Sequence, residues 1–461
     1  MRLLTAVMLA ALAVPVGLAA AGEPVAITDA KDRQIVDAFL AHVANVPKTV
    51  SLEACKKKTA EECEGIIWTI LPYVEMPLVA YELTGDAKHL DTFVTAMDNL
   101  RGALTKGPDE YLGWYGKALS GFQNPKEPGK KVDVMINAYR AIDLIGRFLV
   151  LTEAEPALAA KYAAQREAYR DLAVNHLAEK WVRRGNYVSL GDRGAIFRTH
   201  AALKEDKGNL TQPHNKHAII ISGLLSLYRA TGKDEYAKIA VELGTRFKRC
   251  LTLKDGHYEW NYWDPAGQWD VLPSNPSKWK HWIGVEHKGG YYGASLSQAV
   301  LLYEHGLVFD ETDMARFVKT QTRMCWNGSM DSPAWARVDG TTSDKYMQGA
   351  YMCAALAPLS EKIAEFVYTG PRQDERLKAA SHGWQGGPTA CGWIEGKFLA
   401  MPRSAKSRQP YLSIGKKILA SAANRTALKS LGFEVKGSGY AAPRSPDQMK
   451  PMPKAPDPKN L

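Results

Sequence analysis

Residues 214–251 read HNKHAIIISGLLSLYRATGKDEYAKIAVELGTRFKRCL. The first half is an almost unbroken run of apolar and small residues, whereas the second half mixes charged and apolar residues at helical spacing. Between them stands Thr231-Gly232-Lys233, and a glycine followed by a polar residue is typical of one helix ending and another beginning. A helix that is apolar all round is buried, and an amphipathic helix lies at the surface. The stretch therefore predicts an inner helix paired with an outer one.

The same plan recurs along the chain. A second copy, with its turn at residues 84–86, occupies residues 69–102, and further pairs occupy residues 132–181, 287–326 and, from its opening helix, 345–369. Repeats of this length predict an array of similar units. We expect an all-α fold, specifically an α/α toroid of six or seven helical hairpins whose inner helices surround a cavity, with weaker hairpins before Leu71 and after Pro371.

Two long segments interrupt the helical pattern and are predicted to lie over the mouth of the cavity. They are residues 183–213 and 255–284, and the second contains five tryptophans. Trp279 and Trp282 alternate with lysine and histidine, which would place a stacking face beside positive charge. Both are candidate substrate-binding residues for a sugar polymer. The alternative is that these rings simply pack beneath a long loop.

The two ends differ from the rest of the chain. Residues 1–24, MRLLTAVMLAALAVPVGLAAAGEP, predict a signal peptide over residues 1–21 and a secreted or periplasmic protein. Residues 22–436 form the predicted catalytic domain. Residues 437–461 are rich in proline and lysine and are predicted to be a disordered tail.

The net charge and the cysteine content limit which partners, disulfides and cofactors we expect. The formal net charge of +10 favours an acidic partner such as a polyuronate, while no nucleic-acid module is recognisable and no membrane contact is expected after signal cleavage. Export permits disulfides, and the short polar spacing of Cys55 and Cys63 predicts a local bridge. The other four cysteines are read as buried thiols. No CxxC pattern occurs, so neither a zinc framework nor a cofactor is predicted.

Polar residues cluster where the predicted inner helices begin. The set comprises Asn137, His214, Asn215, His217, His287, Lys288 and, in the last copy, Arg337 and Tyr346. A toroid would bring these helix starts to one end of its cavity. His214 and His217 lack an evident third ligand, so no metal site is predicted there.

This combination of side chains suits β-elimination from a uronic acid. The C5 proton is weakly acidic, because the resulting carbanion lies beside a carboxylate that is already negative. Asn215, His287 and Arg337 could neutralise that carboxylate. A tyrosine near an arginine has its phenolate favoured, so Tyr346 could take the C5 proton and return a proton to the bridging oxygen.

The order His287, Arg337, Tyr346 resembles the alginate lyases of polysaccharide lyase family 5. Their Asn-Asn-His-Ser-Tyr-Trp motif opens an inner helix, and an Arg and a Tyr follow at similar spacing. Here the two motifs read VEHKGGYYGASLSQAV (285–300) and ARVDGTTSDKYMQGAYMCAALAPL (336–359). Glu286 replaces the asparagine beside the histidine, so Asn215 is the candidate amide. Separate Asn, His, Arg and Tyr on a larger α/α ring resembles polysaccharide lyase family 38, which implies glucuronan or alginate as substrate.

Several alternatives remain open from the sequence. Tyr291 and Tyr292 are rival bases, Asn137 is a rival amide, and His214, His217 and Lys288 are candidate substrate-binding residues. Asn215 could be only a helix cap, and Arg337 could pair with a nearby aspartate. A glycoside hydrolase would instead use two facing carboxylates, drawn from Glu286, Asp331, Asp339 and Asp344. A non-catalytic protein that binds acidic glycans is the third hypothesis.

Overall fold

The computed structural model describes residues 24–286, 289–342 and 350–401, together with the backbone of 434–436 and 440–442. The predicted signal peptide, residues 1–21, and most of the predicted tail, residues 437–461, lie outside the described residues. Residues 440–442 of that tail form a short strand paired with residues 434–436.

The chain is mostly helical, which confirms the all-α class. The α-helices are α1 (Ala30–Ala44), α2 (Val46–Thr49), α3 (Leu52–Glu61), α4 (Gly65–Thr69), α5 (Leu71–Thr84), α6 (Lys88–Arg101), α7 (Met135–Glu153), α8 (Pro156–Lys161), α9 (Ala163–Asp171), α10 (Glu179–Arg183), α11 (His214–Thr231), α12 (Asp234–Arg249), α13 (Gly289–Glu304), α14 (Glu311–Lys319), α15 (Glu361–Tyr368), α16 (Gly370–Ala379) and α17 (Ala390–Ile394).

Shorter helical segments and strands complete the described secondary structure. The π-helical segments are Leu172–Ala178, Thr320–Cys325, Gln385–Thr389 and Glu395–Ala400, and the 3₁₀ segments are Ser120–Phe122, Gly191–Arg193, Gln268–Asp270 and Ala354–Leu359. The strands form two-stranded antiparallel ladders: β1 (Thr105–Lys106) with β2 (Leu112–Gly113), β3 (Gly116–Lys117) with β4 (Lys131–Val132), β5 (Tyr187–Ser189) with β6 (Ala195–Phe197), β7 (Thr252–Lys254) with β8 (His257–Glu259), β9 (Val271–Leu272) with β10 (Asn275–Trp279), and β11 (Glu434–Lys436) with β12 (Tyr440–Ala442).

The two turns read from the sequence have the same geometry. Gly85 and Gly232 adopt positive φ angles of 70° and 71°, and each backbone N–H donates to the carbonyl four residues earlier. Glycine is favoured in this left-handed conformation because it has no Cβ. The hairpins α5–α6 and α11–α12 therefore end and restart as predicted.

The fifth predicted inner helix is not a continuous α-helix in the part that the structure describes. Residues 350–353 are not helical, and Ala354–Leu359 is a 3₁₀ segment that contains Pro358. Proline has no N–H to donate and its ring clashes with the preceding turn, so Pro358 disfavours a regular α-helix here. The segment has the apolar periodicity of a helix, so this interruption was not predicted from the sequence.

Consecutive inner elements pack on one another and share one large apolar core. α5 packs on α7, α7 on α11, α11 on α13, and α13 on the 3₁₀ segment 354–359. α7 and α11 approach closely at glycines: a Cβ added to Gly223 would lie 2.4 Å from the carbonyl oxygen of Tyr139, and one added to Gly146 would lie 2.7 Å from the Ser226 carbonyl. The end of the chain returns to its beginning, because α16 packs on α1 and segment 395–400 packs on α5.

The predicted Cys55–Cys63 disulfide is wrong in this structure, since both residues are free, buried thiols. Cys55 belongs to the main core, whereas Cys63 packs with Ala118 and Val132 in a separate small cluster. The two side chains therefore pack in different apolar clusters, although they are close in sequence. Cys250, Cys325, Cys353 and Cys391 are also free.

A partly buried ion cluster joins α5, α7 and segment 395–400. Arg147 contacts Glu82, and its Nη1 lies 2.8 Å from Glu395 Oε1 and 3.7 Å from Glu75 Oε1. Arg140 Nη2 lies 2.5 Å from Glu75 Oε2. Burial raises the pKa of Glu75, although the two arginines oppose that shift. The arginines therefore keep three carboxylates of this cluster compatible with a low-dielectric environment.

We expect Arg147→Met to lower the free energy of unfolding by about 3 kcal/mol, because it leaves partly buried carboxylates without their cation. That is the lower end of the range for broken buried pairs, since some exposure remains. Urea unfolding followed by circular dichroism measures the change. Lys106→Met, which removes an exposed pair with Glu110, is the matched control and should leave the free energy of unfolding nearly unchanged, because water and salt screen an exposed pair. Equal losses in both variants would contradict the central role of the cluster.

Candidate functional site

Three loop segments run side by side at the start of α13. The Glu286 N–H donates to the Trp260 carbonyl at 3.0 Å, and the Val338 N–H donates to the Glu286 carbonyl at 3.3 Å. The residue before His287 is thus bonded to the residue after Arg337. His287, Lys288 and Tyr346 themselves lie outside the described residues. Of the four predicted catalytic residues, the structure describes Asn215 and Arg337.

Cationic and imidazole groups gather beside the first turn of α11. Lys207 Nζ lies 3.3 Å from His281 Nδ1. The Nζ atoms of Lys207 and Lys216 each lie 5.7 Å from the centre of the Phe122 ring, so both ammonium groups contact the same ring. Lys216 Nζ also donates to Glu64 Oε1 at 3.1 Å. This lysine–histidine cluster, defined by Lys207, Lys216 and His281, was not found from the sequence.

The His281 imidazole is neutral at physiological pH. Burial lowers its pKa to about 4, and the charges of Lys207 and Lys216 act in the same direction. An ammonium group can only donate, so Nδ1 of His281 accepts from Lys207 and the ring proton resides on Nε2. Lys207 Nζ also lies 3.5 Å from Asp206 Oδ2, and Lys216 is paired with Glu64, so each ammonium group has one acidic neighbour. Each ammonium group carries three N–H donors, so the cluster can still offer these and the imidazole N–H to an anion.

Aromatic rings adjoin the lysine–histidine cluster. Tyr262 and Tyr291 lie with ring centres 5.2 Å apart and planes 33° apart, and the centre of the Tyr262 ring lies 5.6 Å from that of His281. Trp279 packs against Tyr262 and Trp263 and is only partly exposed. Stacked aromatic faces beside positive charge suit a sugar ring that carries a carboxylate.

The tryptophans of residues 255–284 divide between two roles. Trp260 and Trp263 are buried, and Trp260 stacks on Tyr292 at 5.7 Å. Trp282 is 55% exposed, so it remains available to a ligand. The packing alternative raised from the sequence therefore applies to Trp260 and Trp263, while Trp282 has the exposure that a binding role requires.

The two rival tyrosines have opposite environments. Tyr292 is fully buried and its hydroxyl donates to Gln321 Oε1 at 2.9 Å. Burial raises the pKa of Tyr292 far above its ordinary value, which disfavours the phenolate that a general base requires. Tyr291 is only partly buried and stands among the rings described above. Between these two, the structure favours Tyr291 for a role in proton transfer.

Asn137 and His217 are bound to the protein's own backbone. The Asn137 amide accepts from the Ile67 N–H at 3.1 Å and donates to the Cys63 carbonyl at 2.6 Å. His217 Nε2 accepts from the Phe197 N–H at 3.0 Å, and burial lowers the pKa of His217 far below its ordinary value. Both side chains hold loops onto inner helices, so these polar atoms are already engaged.

Several buried polar atoms near the start of α11 and in the middle of α13 lack a hydrogen-bond partner within the described protein. Gln298 connects the two helices, since its Nε2 donates to the His214 carbonyl at 3.4 Å. The unpartnered atoms are Asn215 Oδ1, Gln298 Oε1, Ser295 Oγ, Gln212 Oε1 and His214 Nδ1. Buried polar atoms normally find partners. Water or a polar ligand therefore has reason to enter here, and Arg337 Nε is in the same condition.

The carboxylates that the sequence offered for a glycoside hydrolase differ in their exposure to solvent. Glu286 is fully buried, and Asp331 is exposed. Asp339 Oδ1 accepts from the backbone and hydroxyl of Thr341 at 3.0 and 2.7 Å. Asp344 lies outside the described residues. Glu64, which the sequence did not single out, is the carboxylate nearest the lysine–histidine cluster through its bond to Lys216.

No protein-family model matches the chain, and no curated protein matches it in sequence. Within the described residues, no helix combines the length and the apolar character needed to cross a membrane.

The depressed pKa of His281 predicts loss of stability in acid. The unfolded chain takes up this proton near pH 6.5, whereas the folded chain resists it until about pH 4. The contribution is complete above pH 6.5 and declines as the pH falls, by up to about 3 kcal/mol. Urea unfolding between pH 7 and pH 4 should show a smaller acid loss in His281→Gln than in wild type. The exposed control His382→Gln should follow the wild-type curve, and a wild-type curve for both variants would refute the assignment.

Proposed function

We propose that the chain is a polysaccharide lyase that cleaves a β-1,4-linked polyuronate, glucuronan or mannuronate-rich alginate, by β-elimination. The observation that carries this proposal is the lysine–histidine cluster beside the Tyr262–Tyr291 pair. Two ammonium groups and an imidazole N–H next to aromatic faces suit a chain of sugar acids better than a neutral glucan. The cluster also concentrates part of the positive charge of this basic chain at one place.

The proposed scaffold is the α/α toroid. Its support is the succession of packed neighbours from α5 through α7, α11 and α13 to segment 354–359, which contacts segment 395–400. That last segment packs on α5 and is tied to Arg147 of α7 through Glu395. In a closed ring of this kind, the starts of α11 and α13 would lie at one end, as the proposed site requires.

Charge neutralisation at the sugar carboxylate is the central requirement of the reaction. Removing the C5 proton places a second negative charge next to that carboxylate, so donors aimed at it lower the barrier. Lys207, Lys216 and the Nε2–H of His281 are suited to this role, and the side-chain N–H group of Asn215 is proposed as a further donor. Arg337 and His287 complete the proposed set by their likeness to the lyase motifs.

The base is proposed to be Tyr346, with Tyr291 as the rival. A single tyrosine takes the C5 proton, the C4–O bond breaks as the C4–C5 double bond forms, and the same hydroxyl returns the proton to the leaving oxygen. This requires both atoms on one face of the sugar, as in D-glucuronate and D-mannuronate. The chain is proposed to act in the periplasm or after secretion, on an acidic polysaccharide rather than nucleic acid, without a cofactor in this step.

A glycoside hydrolase is the second candidate, and one observation favours it. The charges of Glu286 and Glu64 both raise the pKa of Tyr262, so both carboxylates lie within electrostatic reach of the same ring. Hydrolysis needs two carboxyl groups that face each other across the bond. Incubation with alginate, glucuronan and neutral glucans separates the hypotheses: unsaturated products absorb in the ultraviolet, hydrolysis gives reducing ends without that absorbance, and binding with neither indicates a non-catalytic glycan-binding protein.

Lys207→Met and Lys216→Met should each lower kcat/KM for the polyuronate by about tenfold or more, because a charge-assisted contact is worth about 1.5–3 kcal/mol. Methionine keeps an apolar stem against Phe122 while removing the charge. Initial rates of unsaturated-product formation at two salt concentrations measure the effect, which should weaken at high salt. The exposed Lys238→Met is the matched control. Wild-type rates in both cluster variants would remove the cluster from the substrate site.

Tyr346→Phe should reduce kcat by at least about 100-fold if Tyr346 transfers the proton, since general acid–base groups contribute about 10²–10⁴. Tyr291→Phe should then affect mainly KM through altered stacking. Single-turnover measurements on alginate oligomers distinguish the two effects. A fully active Tyr346→Phe with an inactive Tyr291→Phe would transfer the role to Tyr291.

A further inference from the structure

His214, Cys250 and Asp264 bring three metal-ligating groups together from three separate elements. His214 is the first residue of α11, Cys250 caps the end of α12, and Asp264 belongs to the tryptophan-rich loop. One potential ligand atom from each residue lies within 4.8 Å of the other two. The three residues are distant in sequence and are brought together only by the fold.

The local bonding prepares these groups to act as ligands. His214 Nε2 lies 3.0 Å from Asp264 Oδ2, while Asn261 Nδ2 donates to the other carboxylate oxygen at 2.9 Å. An outer hydrogen bond of this kind orients a ligating carboxylate. His214 is 3% exposed, and its Nδ1 has no hydrogen-bond partner in the described part of the chain.

We propose that His214, Cys250 and Asp264 bind a divalent transition-metal ion of the zinc type. Imidazole nitrogen, thiolate sulfur and carboxylate oxygen are its preferred ligands, at about 2.0–2.3 Å. Tetrahedral geometry then sets about 3.3–3.8 Å between ligand atoms. A spread within 4.8 Å therefore closes onto an ion by small side-chain rotations. Binding releases the thiol proton to solvent and breaks no covalent bond between heavy atoms.

The charges of the surroundings are compatible with this ion. A thiolate and a carboxylate together balance a divalent cation, which matters because Arg246 lies nearby and donates to the Pro265 carbonyl at 2.9 Å. Burial raises the pKa of Cys250 well above its ordinary value in the metal-free protein. A coordinating metal overcomes that cost by deprotonating the thiol.

The proposed ion has a structural consequence for the candidate site. It would connect the start of α11, the end of α12 and the loop that supplies Tyr262 and His281. Asn215, the next residue along, would then be held by a fixed first turn. This inference does not rest on the proposed lyase function, because it concerns metal binding alone.

The test uses the untagged full-length protein, stripped with a chelator and titrated with Co²⁺ and Zn²⁺. We expect one equivalent of Co²⁺ to give a cobalt–thiolate charge-transfer band, Zn²⁺ to displace it, and the melting temperature to rise with Zn²⁺. Cys250→Ser should abolish the band and weaken Zn²⁺ binding at least about 100-fold, because even outer-shell partners are worth about 10- to 100-fold.

Cys55→Ser, which alters another buried thiol, is the matched control and should retain the band. Asp264→Asn keeps the shape of the side chain and should weaken Zn²⁺ binding while leaving the fold intact by circular dichroism, so the proposal stays testable if Cys250→Ser does not fold. Absence of the band in wild type, or wild-type Zn²⁺ affinity in Asp264→Asn, would overturn the site. Loss of lyase activity would not bear on it.

Discussion

The charge balance around Arg147 is the constraint on which the packing of the inner helices depends. Arginine and carboxylate groups removed from water are tolerated only when each finds an opposite charge. Arg147 meets Glu82 and Glu75 of α5 and Glu395 from the end of the described chain. α7 can therefore take only the register in which these charges coincide, and the same contact fixes segments far apart in sequence. α11 also packs on α7, at Gly146 and Gly223, where the absence of a side chain lets the two backbones approach closely.

The first turn of α11 contacts several segments that are distant in sequence. Successive residues on a helix point about 100° apart, so four in a row face all sides. His214 reaches Asp264, Lys216 reaches Glu64, and His217 accepts from the Phe197 backbone. The first turn of α11 thereby joins three separate segments of the chain. This explains why a run of polar residues opens an otherwise apolar helix: three of the four have different partners.

Helical hairpins could be predicted from the sequence because their signals are local: apolar periodicity, and a glycine before a polar restart. The partners across the site could not. Lys207 and His281 are 74 residues apart in sequence and meet only through folding. The tryptophan-rich loop was ambiguous for a related reason, since composition identifies aromatic residues but burial separates Trp263 from Trp282. The histidine pair considered for a metal shows the same limit: the side chains beside His214 that could bind a metal are Cys250 and Asp264 rather than His217.

The tryptophan-rich loop contributes rigid groups because buried carboxylates anchor it. Asp270 is fully buried and accepts from the Thr211 N–H, the Thr211 hydroxyl and the Ala266 N–H at 2.7–2.8 Å. Asp264 is held by His214 and Asn261. Asp264 thus anchors the loop before its helical turn, and Asp270 anchors the turn itself. A polymer that binds to prepositioned rings and cations loses less binding energy to ordering the protein. In the proposed lyase, these two acids would support substrate recognition without contacting the substrate.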